Sequence, residues 1–174
     1  MTLTDFPAAI KLLSAGGVEF IVVGGIAATS HGSAHITYDL DIVYRRTPDN
    51  VDRLATTLAP IHPYLRGAPE GLPFRLDAGT ITRGLNFTLQ TSLGDLDLLG
   101  EVTGGGTYEQ LAPETVTGTI DGVDFLCVSL RRLIVLKRAA GRPKDLNMVA
   151  ELEALLEEQE RTEKGPDGDR DASH

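Results

Sequence analysis

A chain of 174 residues, 41% of them hydrophobic, suffices for one domain that buries about two thirds of its unfolded surface around a single core. The lone cysteine, Cys127, excludes a disulfide framework. The start Met1-Thr2-Leu3-Thr4-Asp5 has no basic leader and no apolar run approaches a membrane span, so a cytoplasmic protein without membrane contact is expected. The formal net charge of -9 is uneven: nine acids against three bases lie from Glu151 onward, which leaves -3 for the first 150 residues and does not exclude a phosphate-rich ligand.

Phe6, Ile10, Leu12 and Leu13 recur at helical spacing and stop at Gly16-Gly17, which predicts a short helix over Phe6 to Ala15. Glu19 to Val23 is β-branched and aromatic, as in a buried strand. It breaks at Gly24-Gly25 before the small-residue stretch Ile26 to His31, so the order is strand, glycine turn, helix. Tyr38 to Tyr44 alternates, and as a strand it puts Asp39 and Asp41 on one face and Leu40 and Ile42 on the other. Thr47-Pro48 is a good helix start, with Val51, Leu54, Leu58 and Ile61 at helical spacing behind it. Residues His62 to Gly79 are rich in proline and glycine and read as a loop, a candidate cover for a site, without a recognisable motif.

Leu85 to Gln90 and Leu96 to Leu99 read as strands joined through Ser92-Leu93-Gly94-Asp95, with Asp95 assigned to the turn. Gly104-Gly105-Gly106 is a flexible connection, and Tyr108 to Leu111 a brief helical turn. Thr115 to Ile120 pairs with Val123 to Val128 across an Asp121-Gly122 hairpin, and Cys127 within that apolar run reads as a buried thiol. Ser129 caps a helix from Leu130 to Ala140. Gly141-Arg142-Pro143 interrupts it before a second helix from about Lys144 to Glu160. The expected fold is α/β (α+β): a small mixed sheet flanked by helices, with C-terminal helices, in a domain of residues 1–160 followed by a disordered acidic tail over 161–174.

Two carboxylates two residues apart on a strand, Asp39 and Asp41, lie roughly 6.5–7 Å apart at the backbone, close enough to converge on shared cations. Magnesium takes such hard oxygen ligands, and phosphoryl-type transfer uses one or two magnesium ions to neutralise a triphosphate and its leaving group. Asp97 repeats the acid–apolar alternation in Leu96-Asp97-Leu98-Leu99 and is the favoured third ligand. The turn Gly24-Gly25, opening a helix, offers backbone N–H groups to phosphates, although glycines there are also simple turn formers and no G-x-G-x-x-G is present. Arg131, Arg132, Lys137, Arg138, Arg142 and Lys144 form a basic block without an intervening acid, which favours a polyanionic acceptor or forms a solvated helix face.

Val23-Gly24-Gly25, thirteen residues, then Asp39-Leu40-Asp41-Ile42-Val43 resembles the signature of the DNA polymerase β-like nucleotidyltransferase superfamily. Val22-Val23-Gly24-Gly25-Ile26-Ala27, His31-Gly32, Thr37-Tyr38-Asp39-Leu40-Asp41 and the segment Lys137 to Asp145 look like the minimal bacterial nucleotidyltransferases of toxin–antitoxin and abortive-infection systems. The resemblance implies a magnesium-dependent transfer of a nucleoside monophosphate from an NTP to an acceptor hydroxyl. Two Mg2+ ions would sit on the catalytic acids Asp39, Asp41 and Asp97, with the triphosphate on Gly24 and Gly25, Lys137 and Arg142 contacting nucleotide or acceptor phosphates, Lys137 counted with the catalytic residues, and Asp145 positioning those two bases. It suggests a tRNA 3′ end as acceptor and a cognate antitoxin protein as partner. An antibiotic adenylyltransferase acting on a small molecule, and a non-catalytic, antitoxin-like nucleotide- or protein-binding partner, are the alternatives. Relatives often carry arginine where His35 stands, which leaves open a role for His35 at phosphate; His31 could face the site or only end its helix.

Overall fold

The computed structural model describes residues 3–165. They form a mixed α/β fold built on one seven-stranded sheet. The first helix, α1 (Phe6–Ala15), is capped by Asp5, whose side chain accepts from the Ala8 N–H, and it buries Ala9, Ile10 and Leu13. β1 (Phe20–Val23) is buried at every residue, as expected of a strand covered on both faces. α2 (Gly24–Ser30) begins at the glycine pair itself, so Gly24 and Gly25 are its first turn and no separate turn precedes it.

β2 (Asp39–Tyr44) follows an eight-residue connection over residues 31–38, and α3 (Pro48–Leu58) starts on the Thr47-Pro48 signal and continues as a 3₁₀ turn, Ala59–Ile61. The segment read as an unbroken loop contains two elements, β3 (Tyr64–Leu65) and the start of α4 (Ala78–Arg83). Asp77 caps α4 by accepting from the Thr80 N–H, a cue hidden among prolines and glycines. β4 (Asn86–Thr91) and β5 (Gly94–Leu99) form a hairpin in which Asp95 is a strand residue paired with Gln90, not a turn residue; Gly94, at φ +113°, takes the strained position instead.

α5 (Tyr108–Leu111) carries a capping box between Thr107 and Gln110. β6 (Thr115–Ile120) and β7 (Val123–Val128) pair across Asp121-Gly122, both at positive φ, as a two-residue hairpin turn requires. Cys127 is buried and free, and burial pushes its thiol up to about 12, as suits a packing residue. α6 (Leu130–Ala140) is capped by Ser129 and stopped by Gly141 at φ +66°, and α7 (Pro143–Glu163) packs on α6. Arg161 to Glu163 therefore belong to a helix instead of the expected disordered tail; residues 166–174 lie outside the described residues. Among the described residues no helix is long and apolar enough to cross a membrane.

The strand order is β3-β4-β5-β2-β1-β7-β6. β2 runs antiparallel to β1 and parallel to β5, and β1 runs parallel to β7. The β2–β5 register sets Asp39 beside Asp95, Leu40 beside Leu96 and Asp41 beside Asp97. Acids and apolar residues thus share faces across two strands. Leu40, Ile42, Leu96 and Leu98 fill the core and the four carboxylates stand together on the opposite face. Asn50, fully buried, locks the β1–β2 edge with three hydrogen bonds: it accepts from the Glu19 N–H and donates to the Glu19 and Arg45 carbonyls.

Candidate metal and phosphate site

One carboxylate oxygen from each of Asp39, Asp41 and Asp97 can be chosen so that all three lie within 4.8 Å of one another. This follows directly from the parallel register, because Asp41 and Asp97 are lateral neighbours and Asp39 lies two residues along the same face. Burial first, then the charges of Asp97 and Asp39, push the Asp41 carboxyl up to about 7, and Lys137 opposes that rise. Three oxygen donors this close repel one another unless a proton or a cation joins them, and the set of hard donors fits magnesium or manganese.

The glycine pair makes room for this cluster. Gly24 adopts φ +68°, and a Cβ there would sit 2.0 Å from Asp41 Oδ2; at Gly25 a Cβ would sit 2.4 Å from Thr37 Oγ1. Both positions need glycine because an acid or its neighbouring threonine occupies the space of a side chain. The two glycines also line the cleft beside the acids.

That cleft has two connected lobes of about 290 and 230 Å³, which share Asp41, Asp97, Lys137, Arg142 and Asp145. Opposite the acids, fully buried Asp145 takes hydrogen bonds from Lys137 Nζ at 3.2 Å and from Arg142 Nε at 2.6 Å and Nη2 at 3.2 Å. Burial alone would raise Asp145; the Arg142 and Lys137 hydrogen bonds outweigh it and hold the carboxyl below its ordinary value. Asp145 therefore fixes two cations, at the turn between α6 and α7, on the wall facing the acids.

Arg66, in the segment read as featureless, is the residue that sequence reasoning missed. Its Nη2 donates to the Leu89 carbonyl at 2.7 Å and to Asp97 Oδ1 at 2.9 Å; Nε lies 3.3 Å from Asp95 Oδ2 and Nη1 3.9 Å from Asp39 Oδ2. One guanidinium thus neutralises the outer edge of a four-acid patch. An arginine beside a two-residue strand has no periodicity to betray it; the cue in the sequence was that three acids alternating on two strands need a counter-charge nearby.

The basic block divides. Lys137 and Arg142, together with Lys144, line the cleft, whereas Arg131, Arg132 and Arg138 pair with Glu160, Glu114 and Glu153. The outer face of α6 is consequently charge-matched and not a basic strip. His31 does not reach the cleft: its ring Nε2 meets the Val128 carbonyl at 2.8 Å. His35 sits at the cleft rim and pairs with Glu151 of α7. No protein-family model and no curated protein matches this chain.

Proposed function

We propose that this protein is a magnesium-dependent nucleotidyltransferase of the DNA polymerase β-like kind, which moves a nucleoside monophosphate from an NTP to an acceptor hydroxyl. The observation that carries this reading is the facing of two charge sets across one cleft: Asp39, Asp41 and Asp97 with oxygens within 4.8 Å, and Lys137 and Arg142 held opposite by buried Asp145. When bound, divalent cations supply charge neutralisation to the triphosphate and to the leaving pyrophosphate. The carboxylates hold those cations, while Lys137 and Arg142 bind the phosphates and orient the α-phosphate toward the acceptor. In the transfer the acceptor oxygen forms a bond to the α-phosphorus and the bridging bond to the β-phosphate breaks. The pyrophosphate departs, and a carboxylate oxygen of the cluster takes the hydroxyl proton.

The acceptor we propose is an RNA 3′ end, of the kind a tRNA offers, as in toxin-type enzymes. Lys144, the basic residue of the cleft not engaged with the triphosphate, supports a phosphate-bearing acceptor; the outer arginines of α6, matched by acids, add nothing to it. The test is incubation of the protein with each labelled NTP, Mg2+ and total RNA, with parallel samples of 3′-oxidised RNA. Label on RNA that depends on a free 3′ hydroxyl is the expected result. Label on a small hydroxylated drug instead would assign the alternative acceptor, and no transfer to any acceptor, with Asp39→Ala indistinguishable from the parent, would overturn the enzyme reading in favour of a binding partner.

A further inference from the structure

We propose that Ile36 and Tyr38, with Met148, form a shelf for the nucleobase of the bound triphosphate, a subsite that rests on the transferase reading and gives the base its place. These residues line the same lobe of the cleft as Asp39, Asp41, Lys137 and Arg142. Ile36 is 81% exposed and Tyr38 55% exposed, two large apolar side chains within three residues, directly ahead of the first metal-site acid. Isolated exposed apolar residues are ordinary on a protein surface. What distinguishes this pair is that the backbone bearing it is pinned on both sides.

The Ala34 N–H donates to Glu151 Oε1 at 2.9 Å, and His35 pairs with the other oxygen of that carboxylate, so α7 holds the front of the segment. The Thr37 hydroxyl donates to the Asp39 carbonyl at 3.3 Å, and the Thr4 hydroxyl donates to the Tyr38 carbonyl. Three partners, Glu151, Asp39 and Thr4, hold the frame while Ile36 and Tyr38 keep most of their surface in water. Pre-organised apolar surface of this sort lowers the cost of ordering on binding. Its occupant must join a flat apolar body to a polyanion, since Lys137, Arg142 and the acids complete the same lobe. A nucleoside triphosphate has that chemistry, and the lobe of about 290 Å³ lies near the lower end of ligand-pocket volumes, roughly 300 Å³. Aromatic stacking accepts every base, so the shelf confers affinity without strong base choice.

The experiment is calorimetric binding to the full chain with Mn2+, using three probes: a non-hydrolysable ATP analogue, inorganic tripolyphosphate, and a short oligoribonucleotide with a free 3′ hydroxyl. Tyr38→Ala is expected to weaken the ATP analogue about tenfold or more, with Ile36→Ser acting in the same direction. Tyr38→Phe should restore parental affinity, and tripolyphosphate should bind all variants alike. Equal affinity of parent and Tyr38→Ala for the ATP analogue would overturn the shelf. So would a matching loss of tripolyphosphate, which would mean a damaged phosphate site, or a loss confined to the oligoribonucleotide, which would give the shelf to the acceptor. If the parent binds neither ATP analogue nor tripolyphosphate, the transferase reading itself fails and the shelf with it; tripolyphosphate binding that Tyr38 does not discriminate removes the shelf alone.

Discussion

The charges in the cleft and those on the outside of the α6–α7 pair are drawn from the same residue types and behave in opposite ways. Outside, Arg131 meets Glu160 and Arg138 meets Glu153, one base to one acid, all four well exposed and each pair worth about 0–1 kcal/mol. Inside, three acids converge with oxygens within 4.8 Å of one another, a fourth shares Arg66 with two of the three, and a fully buried Asp145 holds two bases by itself. The outer set pairs one to one within the chain, whereas the inner acids outnumber the one arginine that reaches them. Charge count does not separate the two regions; register and burial do.

The sharpest test of that contrast is Asp41→Ala, which is expected to lower nucleotidyl transfer by about three orders of magnitude or more, since a ligand common to the metal cluster is lost. Activity within tenfold of the parent would remove the metal assignment. The same position gives a pH signature in the metal-free protein. The folded carboxyl keeps its proton to about pH 7 while the unfolded chain releases it near 3.8, so parental stability falls as pH rises through that window and levels off above it. Asp41→Asn should therefore show little difference from the parent at pH 3.5 and melt higher at pH 7.5, where each gain of about 1 kcal/mol reads as about 2–4 °C. Equal gains at both pH values would mean that the carboxyl is not raised.

Next in size is Asp145→Asn, expected to cost about 10–100-fold in transfer by loosening Lys137 and Arg142, with divalent affinity retained because Asp145 is not in the acid cluster. Loss of Mn2+ binding by this variant, followed by electron paramagnetic resonance, would contradict the division of labour. Arg66→Gln should act on metal instead: removing the counter-charge tightens Mn2+ binding about threefold to tenfold and lowers the melting point of the metal-free protein by about 2–4 °C. The smallest effect belongs to the outer set. Arg131→Ala should change stability by less than about 0.5 kcal/mol in urea unfolding and leave transfer unchanged, and a larger loss of transfer would show that α6's outer face takes part.

Local signals carried most of the fold. The glycine stop after α1, Thr47-Pro48 before α3, the Asp121-Gly122 hairpin and Ser129 at α6 are each chemistry written into neighbouring residues, and each element begins or ends where that chemistry puts it. What stayed hidden depended on partners distant in sequence. Asp95 looked like a turn residue until β4 paired with it, β3 is only two residues long, and Arg66 gains its meaning from acids 27 positions before it and 31 after. At the site, Asp39, Asp41 and Asp97 were legible through alternation and Gly24-Gly25 through spacing, yet the reason for those glycines, room for Asp41 and Thr37, is visible only in three dimensions. Lys137, Arg142 and Asp145 were found through resemblance and not through charge pattern, which had grouped Lys137 and Arg142 with arginines that face elsewhere and left Asp145 out.

The parallel pairing of β1 with β7 has a consequence for how the chain folds. Ile21 sits beside Leu126, about a hundred positions further along, so the strand next to β2 cannot gain its second neighbour until nearly the whole domain has been brought together. Contacts of such long sequence separation slow folding. The β4–β5 and β6–β7 hairpins, joined by short turns, can form on their own in microseconds, and closure of β7 against β1 is then the late step. Destabilising a hairpin turn, as Gly122→Val would, should slow refolding, whereas trimming the β1–β7 contact at Ile21 should chiefly speed unfolding. A protein built this way is expected to bring its acids to Lys137 and Asp145 only when β7 docks on β1, and so to acquire its cleft late in folding.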